Sequence, residues 1–168
     1  MTRKFFTFIF VYLCCFNAFA LGLTISTNQL NSMMNIQFPI SQRYMEYTLE
    51  ASKPNLTLYD KTQSVAISVR INVTNKHYRL IADATFKGQI VFDKTTKSLK
   101  VSNPLMTNFD LIDNSFPESQ TSINDIESIV GQHLPISVLI DFNQIRSELF
   151  QFMPSNLTIV SGGLRVEY

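Results

Sequence analysis

Histidine and cysteine, the usual soft metal ligands, are few in this chain, and no catalytic frame surrounds them. His77 and His133 are its two histidines, and the two cysteines, Cys14 and Cys15, lie within the first twenty residues. A soft-ligand metal site needs several such groups to converge, so no metal or cofactor is expected. A nucleophilic serine needs a strained turn such as Gly-x-Ser-x-Gly, and the sequence has none. Gly162-Gly163 is too short to cradle phosphate and suits a tight turn instead. Asp110, Asp113, Asp125 and Glu127 fall near one another, but acids in such numbers ordinarily just solvate a surface. His77 beside a turn reads as solvated, and His133 near a helix end sits where positive charge is favoured. Catalysis is therefore not expected. What remains is a supply of 14 Phe and 6 Met, whose chemistry is burial and apolar contact.

The elements that would position these side chains follow an export signal. Arg3 and Lys4 precede an apolar run from Phe5 to Ala20 that closes on Ala18-Phe19-Ala20, the three parts of a cleavable signal peptide. Its sixteen residues fall short of the roughly 20 that span a bilayer. Cleavage after Ala20 is expected, with 1–20 as the signal and one domain over 21–168, exported and without a membrane span. Taking away 20 of 168 residues leaves 148, enough for a sizeable core. Both cysteines leave with the signal, so no disulfide supports the fold. Leu13 before Cys14 is not the small residue that a lipoprotein attachment site needs. Losing Arg3 and Lys4 leaves 12 of the 14 basic residues against 13 acidic ones, which gives no reason to expect nucleic acid as a partner. Asn55, Asn72 and Asn156 each begin an Asn-x-Thr triplet, a glycan acceptor in some secretory pathways and an ordinary strand or turn sequence otherwise.

Period-two alternation dominates the middle of the chain. Val65, Ile67, Val69, Ile71 and Val73 share one face of a strand, opposite Ser68, Arg70, Asn72 and Thr74. After a turn at Asn75-Lys76, Tyr78 to Phe92 alternates for about 16 residues, far beyond the usual 5 to 6, with Gly88 as a bend. Leu99, Val101, Leu105, Thr107, Phe109 and Leu111 are predicted to share one face of a further segment, which Pro104 would demote to an edge or break. Upstream, Met45 to Ala51 and Leu56 to Leu58 read as two strands, making a meander of roughly five. Helical spacing appears at Leu30, Met33 and Met34, capped by Thr27 or Asn28. It recurs at Ile123, Ile126, Ile129, Val130 and Leu134, and again from Phe142 to Met153. Ile136, Val138 and Ile140 make a short extended piece, and Leu157 to Val160 with Leu164 to Glu167 a hairpin turned by Ser161-Gly162-Gly163.

The predicted fold class is α+β: a long antiparallel sheet, curled into a half-barrel and closed over by the helix from Thr121 to Leu134. Val69, Phe86, Phe92, Phe109 and Ile126 would point into the space between the layers, with Met33 and Met34 at an adaptable end. That space is either a filled core or a channel for an apolar ligand. Met33, Val69, Phe86, Phe109 and Ile126 are the candidate lining residues.

Several stretches resemble the YceB-like family of Gram-negative envelope proteins, a domain without a known function. They are Leu23-Thr24-Ile25-Ser26, Phe38-Pro39-Ile40, Gly88 to Asp93 and Lys97 to Val101, together with the order helix, Pro135 strand, helix and terminal hairpin. The resemblance implies a fold similar to tubular lipid-binding proteins and a periplasmic location. Family members are often lipoproteins, and the missing attachment site favours a soluble form here. Two functions follow as expectations: a periplasmic binding protein for a lipid or other apolar ligand, or an envelope interaction protein with a filled core that pairs through a strand edge.

Overall fold

A computed structural model of the chain describes residues 22–116, 120–133, 138–141 and 154–167. The signal peptide expected over 1–20 and the helix expected from Phe142 to Met153 lie outside the described residues. The architecture is α+β. In chain order the elements are β1 (Gly22–Ser26), α1 (Thr27–Asn35), β2 (Ile40–Tyr44), β3 (Tyr47–Tyr59), β4 (Ser64–Thr74), β5 (Arg79–Asp93) and β6 (Ser98–Asn114). They continue with α2 (Gln120–His133), β7 (Val138–Asp141), β8 (Asn156–Val160) and β9 (Gly163–Glu167). Strands β2 to β7 form a six-stranded antiparallel sheet in sequence order, and β1, β9 and β8 form a second sheet of three.

The alternation in β4 and the first half of β5 is carried out as expected. Val65, Ile67, Val69, Ile71 and Val73 are buried, as are Leu80, Ala82, Ala84 and Phe86. Directly opposed residues share a face, and the register pairs Ile67 with Phe86, Val69 with Ala84 and Ile71 with Ala82. The apolar side is covered by Ile126 and Val130 of α2 and by Leu30 and Met34 of α1, all within one hydrophobic cluster.

Two expectations about the strands are corrected by bulges. Residues 47–59 are one strand, because the chain passes through an irregularity between Ser52 and Asn55 instead of ending there. Ala51 lies opposite Ile71 and Leu56 opposite Ile67, so β3 holds one more residue than β4 over this stretch. Lys53, at φ 51, precedes Pro54, which has no N–H to leave unpaired in the interrupted ladder. The same device recurs in β6, where Asn103, at φ 48, precedes Pro104. Beyond it Leu105 faces Lys87 and Met106 faces Phe86. A one-residue slip moves side chains to the other face. Leu105 and Thr107 are therefore not on the core side with Val101, and Met106 is. A further irregularity between Thr85 and Phe86 brings Phe109 and Leu111 back to the core side, opposite Ala84 and Ala82, and one between Ile81 and Ala82, past Leu111, makes three bulges in β6.

The first helix starts one residue earlier than a Thr27 cap predicts and two earlier than an Asn28 cap. Ser26 is its N-cap and Gln29 completes a capping box: the Ser26 hydroxyl accepts from the Gln29 backbone N–H at 3.2 Å, and the Ser26 N–H donates to Gln29 Oε1 at 2.9 Å. Two side-chain amides act as strand partners. Gln63 accepts from the Ile159 N–H at 2.8 Å and donates to its carbonyl at 2.9 Å, tying the small sheet to the β3–β4 turn. Asn31 does the same at Leu56, at 2.7 and 3.1 Å, and so satisfies β3 beyond the end of β2. The extended piece after α2 is β7, paired to Ser98, Leu99 and Lys100. Leu139 and Ile140 are both buried there, because each side of this short strand is covered.

Candidate functional site

All five candidate lining residues come together in one hydrophobic cluster. Val69, Phe86 and Ile126 are no more than 2% exposed, so protein atoms close over them. Met33 and Phe109 are partly buried against the same cluster. Phe92, half-buried, also packs there.

Open apolar surface begins where α2 meets β6. A cleft of about 370 Å³ there is lined by Pro104, Leu105 and Met106 from the strand and by Asn124, Glu127, Ser128, Gly131 and Gln132 from the helix. Gly131 lies beside Met106: a Cβ there would stand 3.4 Å from the Met106 methyl. Further along the core side of β6, Phe109 is only partly covered and Leu111 is 44% exposed. Leu105, on the opposite side of the strand, is 69% exposed. Met106 and Gly131 were not singled out in the sequence. The Asn103-Pro104 pair was the available signal, since a bulge there moves Met106 onto the core side.

The other face of the sheet is polar and carries cross-strand pairs, although the Asn72 Oδ1 is buried without a hydrogen-bond partner. Arg70 donates to Asp83 through two bonds of 2.9 Å, and Ser68 and Thr85 share a hydroxyl bond of 3.0 Å. Lys53, Asn55, Asn108 and Asp110 complete the wall of a second cleft of about 370 Å³, whose main polar groups are already engaged with one another. Among the described residues no group of three metal-ligating side chains occurs, and no helix is long and apolar enough to cross a membrane. No protein-family model matches the chain, and no curated protein matches it.

Two carboxylates are held below the ordinary range. Asp83 is lowered chiefly by the hydrogen bond from Arg70, and Asp93 by the ammonium of Lys100 and then the backbone N–H of Thr96. A depressed carboxylate stabilises the fold above its unfolded pKa of about 4 and loses that contribution as pH falls toward its folded value. The melting temperature is expected to hold between about pH 7 and 5 and to fall below about pH 4, with the fall reduced in Asp93→Asn. A melting temperature that stays level down to about pH 2.5 would contradict the two pairings.

Proposed function

We propose that the protein is an exported envelope module that binds a lipid or similar apolar ligand without catalysis, as its resemblance to the YceB-like family implies. In this reading the long sheet curls as a half-barrel about α2, and the ligand lies along the seam between α2 and β6. The observation that carries it is the stretch of core-side apolar surface, Met106, Phe109 and Leu111, that the helix leaves partly uncovered beside an open cleft. Apolar surface of that kind next to a concave space is what an acyl chain or similar group would bury. The close packing at Val69, Phe86 and Ile126 means that a ligand deeper in the layer would require α2 to lift. Met106 would adapt most readily, since an unbranched thioether repacks at low cost.

A second reading, an envelope protein that pairs through a strand edge, rests on β6 having no strand partner past Lys100 on the edge away from β5, among the described residues. Three bulges, Pro104, Asp110 and Asp113 interrupt that edge, and such features discourage pairing. Apolar-ligand binding is therefore the better supported of the two.

The test is native mass spectrometry of protein taken from the envelope, together with titration by 1-anilinonaphthalene-8-sulfonate. Bound lipid would appear as added mass, and the probe should brighten on the parent. Ser128→Trp fills the cleft from an exposed position on α2. It is expected to weaken probe binding about tenfold, the equivalent of 1.4 kcal/mol, with the melting temperature unchanged. A parent with no adduct and no probe binding would reject the proposal.

A further inference from the structure

The two ends of the long sheet differ in chemistry. At one end the β3–β4 and β5–β6 connections read Asp60-Lys61-Thr62-Gln63 and Lys94-Thr95-Thr96-Lys97, with no apolar residue. At the other end three pieces of chain meet. The register aligns Thr48 with Thr74, Thr74 with Arg79 and Leu80 with Asn114, which places the β2–β3 turn, the β4–β5 turn and the end of β6 side by side. Here Met45 is 76% exposed at a turn apex, Ile112 is 50% exposed on a bulge, and Tyr78 is 39% exposed. Tyr78 and Tyr47 both stand against Phe116, with ring centroids 5.4 and 6.2 Å away, so this end has an aromatic base beneath its exposed side chains.

We propose that this end is a membrane-docking tip, in which Met45 and Ile112 insert among the acyl chains of a lipid bilayer surface while Tyr78 lies at headgroup depth. The charge pattern fits that occupant. Arg43, Lys76 and Arg79 are exposed around the apolar points, where their positive groups meet lipid phosphates, and long basic side chains and tyrosines are suited to the boundary between headgroup and hydrocarbon. A protein partner would favour a continuous apolar patch with charges excluded from its centre. This tip instead has separate apolar points, Met45 at a turn apex and Ile112 on the bulge just before the end of β6, with basic residues between them. Glu46, Asp113 and Asp125, the last close enough to act on Tyr47, match the three cations in number, so insertion rather than net charge holds the tip. Binding should extend to phosphatidylcholine vesicles and survive high salt. The tip does not depend on a ligand in the seam, so the two proposals stand or fall separately.

The chain contains no tryptophan, so a single introduced one reports its own surroundings. Met45→Trp, mixed with phosphatidylcholine vesicles carrying brominated acyl chains, is expected to shift its emission to the blue and lose most of its intensity. Lys61→Trp at the opposite end should do neither, which separates the tip from any membrane contact made by the N-terminal apolar run. In the native background, Met45→Ser with Ile112→Ser should weaken vesicle binding about tenfold at unchanged melting temperature, since both side chains are exposed in the free protein and buried in the bilayer. Equal quenching of both reporters, or of neither, would overturn the proposal. So would a double variant that binds vesicles like the parent, or one whose only change is the loss of self-association in the absence of lipid.

Discussion

Ile67→Asp is expected to destroy cooperative folding, while Ser68→Asp, one residue away, should shift stability by about 0.5 kcal/mol or less. Ile67 is fully buried, held between Leu56 on β3 and Phe86 on β5 by the register of both pairings. A carboxylate placed there has no partner and must be buried charged or taken up as the neutral acid. The cost, with the lost packing, is more than about 4 kcal/mol. Ser68 lies on the polar face beside Thr85 and Arg70, where another carboxylate finds water and a cation. Urea unfolding of the three proteins decides it: equal midpoints for the two variants would mean that β4 is turned the other way.

Gly163→Ala should also be damaging, to a smaller extent and through a different cause. The turn of the terminal hairpin is Ser161-Gly162, and Gly163 already belongs to β9, opposite Ser26 on β1. A Cβ on Gly163 would run into the carbonyl of Ile25, with its carbonyl carbon 3.1 Å away and the Ser26 Cα at 3.2 Å. These are backbone atoms that cannot rotate aside, so β1 must move off the sheet, at a cost of about 1 to 3 kcal/mol. The neighbouring Gly162 has open space around it but adopts φ +81, where alanine costs about 1 to 2 kcal/mol by its own conformation. The two variants are told apart by limited proteolysis. Gly163→Ala should expose β1 to cleavage, and Gly162→Ala should lower the melting temperature without doing so. Early cleavage of β1 in both would place the tight contact wrongly.

Strand identity was legible wherever alternation runs unbroken. Val65 to Val73 and Leu80 to Phe86 needed only their own pattern, because one face must be buried and each residue sits opposite another of the same kind. The pattern failed at Lys53-Pro54 and Asn103-Pro104. Proline there reads as the end of a strand, but a bulge absorbs it and the pairing resumes one residue out of step. Alternation alone therefore divides β3 in two and places Leu105 on the face that Met106 occupies. The candidate seam was hidden by the same error, since Met106 beside Gly131 is a contact between residues 25 positions apart in sequence that alternation cannot register.

The amino-acid sequence by itself determined the α+β class, the apolar face of β4 and the first half of β5, the amphipathic helix over 120–133 to within a residue at its start and the terminal hairpin, because each follows from contacts between near neighbours or from a single repeating period. Only the tertiary structure decided that β1 completes a second sheet with that hairpin, since Leu23 pairs with Val166 across almost the whole chain. It also decided that the Gln63 and Asn31 amides serve as strand partners, and that Met45, Tyr78 and Ile112 share one end of the molecule. These arrangements depend on which backbone groups remain unpaired once the sheet has formed, and no local pattern carries that information.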